Sequence, residues 1–90
     1  MRVLIVEDEK TFARMLERLL AKEGYEEVAL AESGEEALQK LEQWPCDVLI
    51  TDIRLPGMSG LDLVPRARGM IAGVDVIMMT AFADVASARE

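Results

Sequence analysis

An α/β fold built on a doubly wound parallel sheet is the architecture this sequence predicts. Three observations carry it. Short apolar runs recur four times along the 90 residues. The stretches between them repeat their apolar residues at helical spacing. Each interval from run to run is long enough for a helical crossover and too long for a hairpin. Such crossovers are right-handed, which distributes the helices over the faces of the sheet.

The elements follow in order. Arg2 to Val6 is too brief for a helix and ends in Glu7-Asp8-Glu9, so it reads as a first strand buried on both faces. From Glu9 to Glu23, Phe12, Met15, Leu16, Leu19 and Leu20 fall at i, i+3, i+4, i+7 and i+8, one face of a helix that Gly24 stops. Glu27 to Ala31 is a weaker second strand. Ser33-Gly34-Glu35-Glu36 is a capping box that opens a helix through Ala37, Leu38 and Leu41, closed by Pro45. Val48-Leu49-Ile50 is the third strand, and a Pro56-Gly57 turn leads to Ser59, the N-cap of a helix from Gly60 to Arg68. Pro65 inside that helix predicts that it is short or kinked. Val74 to Met79 is a fourth strand, and Asp84 can cap a further helix.

Composition narrows the function. Seventeen Asp and Glu stand against ten Lys and Arg, a net charge of −7, which argues against a grip on nucleic acid by this segment. The longest apolar runs, Val76 to Met79 among them, are far below the roughly 18 residues of a membrane span, and the start leads into acids instead of a signal-peptide cleavage site. The expected location is therefore the cytoplasm. Cys46 is alone and reads as a small buried residue. With no histidine present, chemistry has to run on carboxylates, hydroxyls, backbone groups and borrowed ions.

Ligands of such sheets bind outside the carboxyl ends of the strands. Strand one ends in Glu7-Asp8, strand three in Asp52 and strand four in Thr80. Each has an ordinary reading: acids favour a helix N-terminus, and Asp before a turn makes local hydrogen bonds. If strands one and three are neighbours, however, three carboxylates converge. Such a group binds a proton or a cation, and carboxylate oxygens are the hard ligands that Mg²⁺ prefers. One carboxylate could then act as a nucleophile in phosphoryl transfer, with the Thr80 hydroxyl and the Ala81 N–H as donors to the phosphoryl oxygens. Asp52 is the best candidate.

Three motifs, "VLIVEDE" (Val3 to Glu9), "DVLITDIRLPGMSGLDL" (Asp47 to Leu63) and "VIMMTAFAD" (Val76 to Asp84), resemble the receiver domain of two-component response regulators. The resemblance implies a flavodoxin-like sheet of strand order 2-1-3-4-5, with residues 1–90 forming one receiver domain. It implies that Asp52 is the phosphoacceptor and also contacts Mg²⁺ (or Mn²⁺), that Asp8 is a direct metal ligand, that Glu7 acts through water, and that the Arg54 backbone carbonyl completes the protein's share of the metal shell. Thr80 would be the switch hydroxyl and the Ala81 N–H a phosphoryl donor, while Arg54 and Phe82 flank the pocket and tune phosphoryl lifetime. A sensor histidine kinase would supply the phosphoryl group and an output domain would read it. Such a domain is a signalling switch that catalyses its own modification, not an enzyme. The loop motifs "DIRLPGMSG" and "MTAFADVASARE" also resemble regulators that drive sigma-54 promoters through an AAA+ ATPase with a DNA-binding output.

The family pattern continues beyond Glu90 with the rest of a fourth helix, a fifth strand and a fifth helix, including a lysine that neutralises the phosphoryl group. The expectation is therefore a receiver domain incomplete at its C-terminus, in which Lys22 and Lys40 are too distant to substitute and Lys10 occupies a solvated helix start. Val74 to Met79 would then be an apolar edge strand, expected to promote homodimers, segment swapping or aggregation. Two other readings remain: a receiver-like interaction module that is not phosphorylated, and a phosphohydrolase of the haloacid dehalogenase type. The latter would have a second aspartate two residues after its nucleophile, where this chain has Arg54.

Overall fold

Parallel strands and helices alternate along the chain as β1 (Arg2–Val6), α1 (Lys10–Lys22), β2 (Glu27–Ala31), α2 (Gly34–Gln43), β3 (Val48–Asp52), α3 (Gly60–Met70) and β4 (Asp75–Met79). The computed structural model describes residues 1–79; the expected roles of Thr80, Ala81, Phe82 and Asp84 lie outside these residues. The sheet has the order β2-β1-β3-β4, all pairs parallel. This is the flavodoxin-like topology that the resemblance implies. β3 runs two residues further than the apolar pattern suggested, because Thr51 and Asp52 stay in register with Met78 and Met79 of β4.

Register positions the site. Val6 lies opposite Ala31 on one side and Thr51 on the other. The residues leaving β1 therefore emerge beside Asp52, and the Glu7 N–H still donates to the Ala31 carbonyl at 2.9 Å.

One face of the sheet packs against α2 and α3. Leu4, Val6, Leu49, Leu41, Leu63, Ala37 and Ala67 form a buried cluster there, together with Cys46. The leucines and the valine among them contribute about 1.5–3 kcal/mol each when fully buried. Val3 and Ile5, equally buried, alternate onto the opposite face, where α1 contacts β1 and β2. The predicted apolar stripe of α1 is only partly used. Ala13 is buried and Leu16 and Leu20 are half-buried, while Phe12, Met15 and Leu19 are exposed.

Helix ends follow local chemistry. Gly24 takes a φ of 94° after the Glu23 C-cap, and its N–H donates to the Ala21 carbonyl, so the expected left-handed stop is present. At α2 the Glu36 N–H donates to Ser33 Oγ at 3.1 Å, while the Glu36 carboxylate accepts from the Glu32 N–H, one residue earlier than in the standard box. Ser59 caps α3 by accepting from the Asp62 N–H at 3.2 Å. α3 then runs for 11 residues through Pro65, longer than predicted. Pro65 and Leu61 both face solvent, so water can satisfy the Leu61 carbonyl that the proline leaves without an N–H donor.

Candidate functional site

The carboxyl ends of β1 and β3 bring Glu7, Asp8 and Asp52 together. One carboxylate oxygen from each lies within 4.8 Å of the others. Two of the three come from consecutive residues leaving one strand and the third from the last residue of its neighbour, so the cluster is a direct product of the β1–β3 pairing. Glu7 is buried, at 5% exposure. Asp52 is half-buried and Asp8 exposed, which leaves the site open to solvent on one side.

Hydrogen bonds orient two of the acids. Glu7 Oε2 accepts from the Glu9 N–H at 2.9 Å. Asp52 Oδ1 accepts from the Arg54 N–H at 3.3 Å, closing a short turn after β3. The electrostatic cost falls on Glu7. Burial, together with hydrogen bonding to Asp8 and Asp52 and the charge of Asp52, raises its carboxyl pKa to about 7, against the lowering effect of the Glu9 N–H. A group of this kind holds a proton near neutrality unless a cation replaces it.

The donor set suits a hard divalent cation. It consists of carboxylate oxygens, it is anionic, and it is open enough on the Asp8 side for the waters that Mg²⁺ retains. Glu9 belongs to the helix instead, as the N-cap of α1 whose side chain accepts from the Thr11 N–H. Lys10 Nζ lies 3.7 Å from Glu32, just past β2, and its side chain is exposed, in keeping with the solvated position expected of it. Lys40 is bound at the far end of α2 to the Leu30 carbonyl and to Glu36, and Lys22 sits in the last turn of α1.

The sequence reading overlooked Gly60, the first residue of α3, which lies against the backbone of Asp52. A signal was available. A glycine directly after a serine N-cap needs no unusual φ, so its presence points to a lack of room for a side chain.

Residues 3–90 match the family described as the response regulator receiver domain. Chemotaxis protein CheY1 of Helicobacter pylori is 41% identical over 83 residues, covering 89% of this chain and 67% of that protein. Sensory transduction protein RegX3 of Mycobacterium tuberculosis is 43% identical over 79 residues, covering 88% of this chain and 34% of that protein. The chain thus spans about two thirds of the one relative and about one third of the other. The response regulator TrrA from Thermotoga maritima, solved in complex with Mg(2+)-BeF, superposes with a TM-score of 0.84 at 38% identity, over 96% of this chain and 74% of that one. With its 2-1-3-4 sheet and its acidic cluster at the strand ends, this chain belongs to the response regulator receiver domain family.

Proposed function

We propose that this chain accepts a phosphoryl group on Asp52, in a Mg²⁺-dependent transfer from a histidine kinase, and that the modified state switches an output domain. The observation that carries the reading is the convergence of Glu7, Asp8 and Asp52 within 4.8 Å. TrrA, at 38% identity, was solved with Mg(2+)-BeF, which supports the same ion here. Asp8 and Asp52 would ligate it directly, with the Arg54 carbonyl, and Glu7 through water. Mn²⁺ would serve equally.

A carboxylate oxygen of Asp52 attacks phosphorus as the P–N bond of a phosphohistidine breaks, and the imidazole leaves with the bonding electron pair and takes up a proton. Geometry favours Asp52 as the nucleophile: it is half-buried at a strand end, and the Arg54 N–H holds Oδ1 and so orients the side chain. Glu7 contributes negative charge that draws the cation in, and its burial keeps the inner wall of the site free of bulk water. The bound cation would neutralise charge on the equatorial oxygens. In the same reading the Thr80 hydroxyl and the Ala81 N–H donate to the phosphoryl group. Receiver domains are conventionally not classed as enzymes, although they catalyse this modification and its reversal.

Residues 1–90 are read as belonging to one receiver domain acting in the cytoplasm. The partners are a sensor histidine kinase and an output domain. The loop "DIRLPGMSG" supports an output of the AAA+ type with a DNA-binding module, leaving this domain without nucleic-acid contacts of its own. No helix among the described residues is long and apolar enough to cross a membrane.

The test is labelling of the full-length protein by an acyl phosphate in the presence of Mg²⁺, followed by acid-labile phosphate analysis and intact mass. Wild type gains one phosphoryl group and Asp52→Asn gains none. Equal labelling of the two would remove Asp52 from its role. Failure of the folded wild type to be labelled would favour the unphosphorylated interaction module.

A further inference from the structure

The glycine that opens α3 is required for space. The glycines with positive φ are Gly24, Gly57 and Gly73, so the backbone of Gly60 is one that any residue could adopt. A Cβ placed on it would lie 2.1 Å from the Asp52 carbonyl oxygen, 3.0 Å from the Asp52 carbonyl carbon and 3.1 Å from Ile53 Cα. All three are backbone atoms, which no rotamer change moves aside. Ordinary contact begins near 3.4 Å, so the first of these gaps would have to open by about 1.3 Å (3.4 minus 2.1).

The same peptide units are gripped from several directions. The Gly60 N–H donates to the Ile53 carbonyl at 2.8 Å, and the Ile53 N–H donates to the Met79 carbonyl at 3.0 Å. The hydroxyl of Thr51, a fully buried residue, donates to the Asp52 carbonyl at 3.0 Å. α3 cannot easily retreat, because Leu63 and Ala67 are fully buried in the core. β3 cannot retreat either, being paired on both sides.

We propose that Gly60 is a positioning residue: its contact with the Asp52–Ile53 backbone sets where the Asp52 carboxylate and the Arg54 carbonyl stand relative to Glu7 and Asp8. The proposal deepens the reading of Asp52 as acceptor and cation ligand and rests on it for its functional consequence. A displacement of about 1 Å at a reacting group is enough to cost a site much of its efficiency.

The experiment compares Gly60→Ala with Gly69→Ala in the full-length protein, since a methyl at Gly69 meets nothing within 4 Å. Crystal structures give the position of Asp52, and electron paramagnetic resonance titration with Mn²⁺ gives the affinity. Gly60→Ala should move the Asp52 carboxylate by about 1 Å relative to Glu7 and lower Mn²⁺ affinity by about tenfold or more, as loss of a supporting contact commonly does. Gly69→Ala should match wild type in both. An Asp52 that superposes on wild type in Gly60→Ala, or an unchanged Mn²⁺ affinity, overturns the proposal. If wild type itself binds no Mn²⁺, the cation reading fails and the displacement of Asp52 alone decides the positioning role. If Gly60→Ala does not fold, Thr51→Val and Thr51→Ser decide instead. Displaced Asp52 and weakened binding in the valine variant, restored by serine, support the clamp, and a valine variant identical to wild type overturns it.

Discussion

The two faces of the sheet are finished to different degrees among the described residues. On the α2/α3 face, Leu4, Leu49 and Leu63 are fully buried and the helices also pack against each other. On the α1 face, Val3 and Ile5 are buried beneath the helix, yet Phe12, Met15 and Leu19 are 37–50% exposed and Ile77 of β4 is 52% exposed. The same apolar periodicity therefore has different energetic weight on the two sides. Periodicity marks the face that a helix offers, whereas burial depends on how many neighbours meet it.

This comparison can be broken or sharpened by measurement. The largest effect is expected in the finished face. Leu63→Ala should cost about 2–5 kcal/mol, the range for truncating a fully buried leucine, read by urea denaturation of the full-length protein. Losses below about 1 kcal/mol would mean that the α2/α3 layer is no better packed than α1.

The next effect belongs to the strand ends between the layers. Glu7 has its folded-state pKa raised from 4.5 to about 7, so the folded protein binds the extra proton and the unfolded chain does not. That contribution is fully present below pH 4.5 and is lost as pH rises through 7. In the absence of divalent cations, stability should fall across this window by up to about 3 kcal/mol, at 1.4 kcal/mol per pH unit. Glu7→Gln should flatten the slope. Because a cation competes with the same proton, Mg²⁺ affinity should rise from pH 6 to 8, with proton release on binding detectable by calorimetry in buffers of different ionisation enthalpy.

Helix capping supplies a smaller effect. Ser33→Ala removes the acceptor of the Glu36 N–H and should cost about 1 kcal/mol. The smallest effect is expected on the unfinished face. Leu19→Ala, at a residue 50% exposed, should stay within about 0.5 kcal/mol of wild type. A loss comparable to Leu63→Ala would show that something covers α1 in the intact protein.

Much of the site could be read directly. Glu7-Asp8 and Asp52 stand where apolar strands stop, and the alternation of strands with helices implies that strand ends share one edge of the sheet. Residues with local chemistry were legible for the same reason: Ser33, Ser59 and Gly24 act on neighbours within a few positions. α3 was less so, because the penalty for Pro65 depends on whether its side of the helix faces water. The exposure of Phe12 and Leu19, set by distant neighbours, was not legible at all.

By itself the sequence determined the order and type of the elements and the acidic character of the strand ends, since periodicity, capping and charge are properties of adjacent residues. Tertiary structure alone decided three further matters. The β1–β3 register brings one oxygen from each of Glu7, Asp8 and Asp52 within 4.8 Å. Burial moves the Glu7 proton to near-neutral pH. And Gly60 lies against the Asp52 backbone. Each depends on distances and solvent exclusion that exist only once the sheet and its helices have closed around the site.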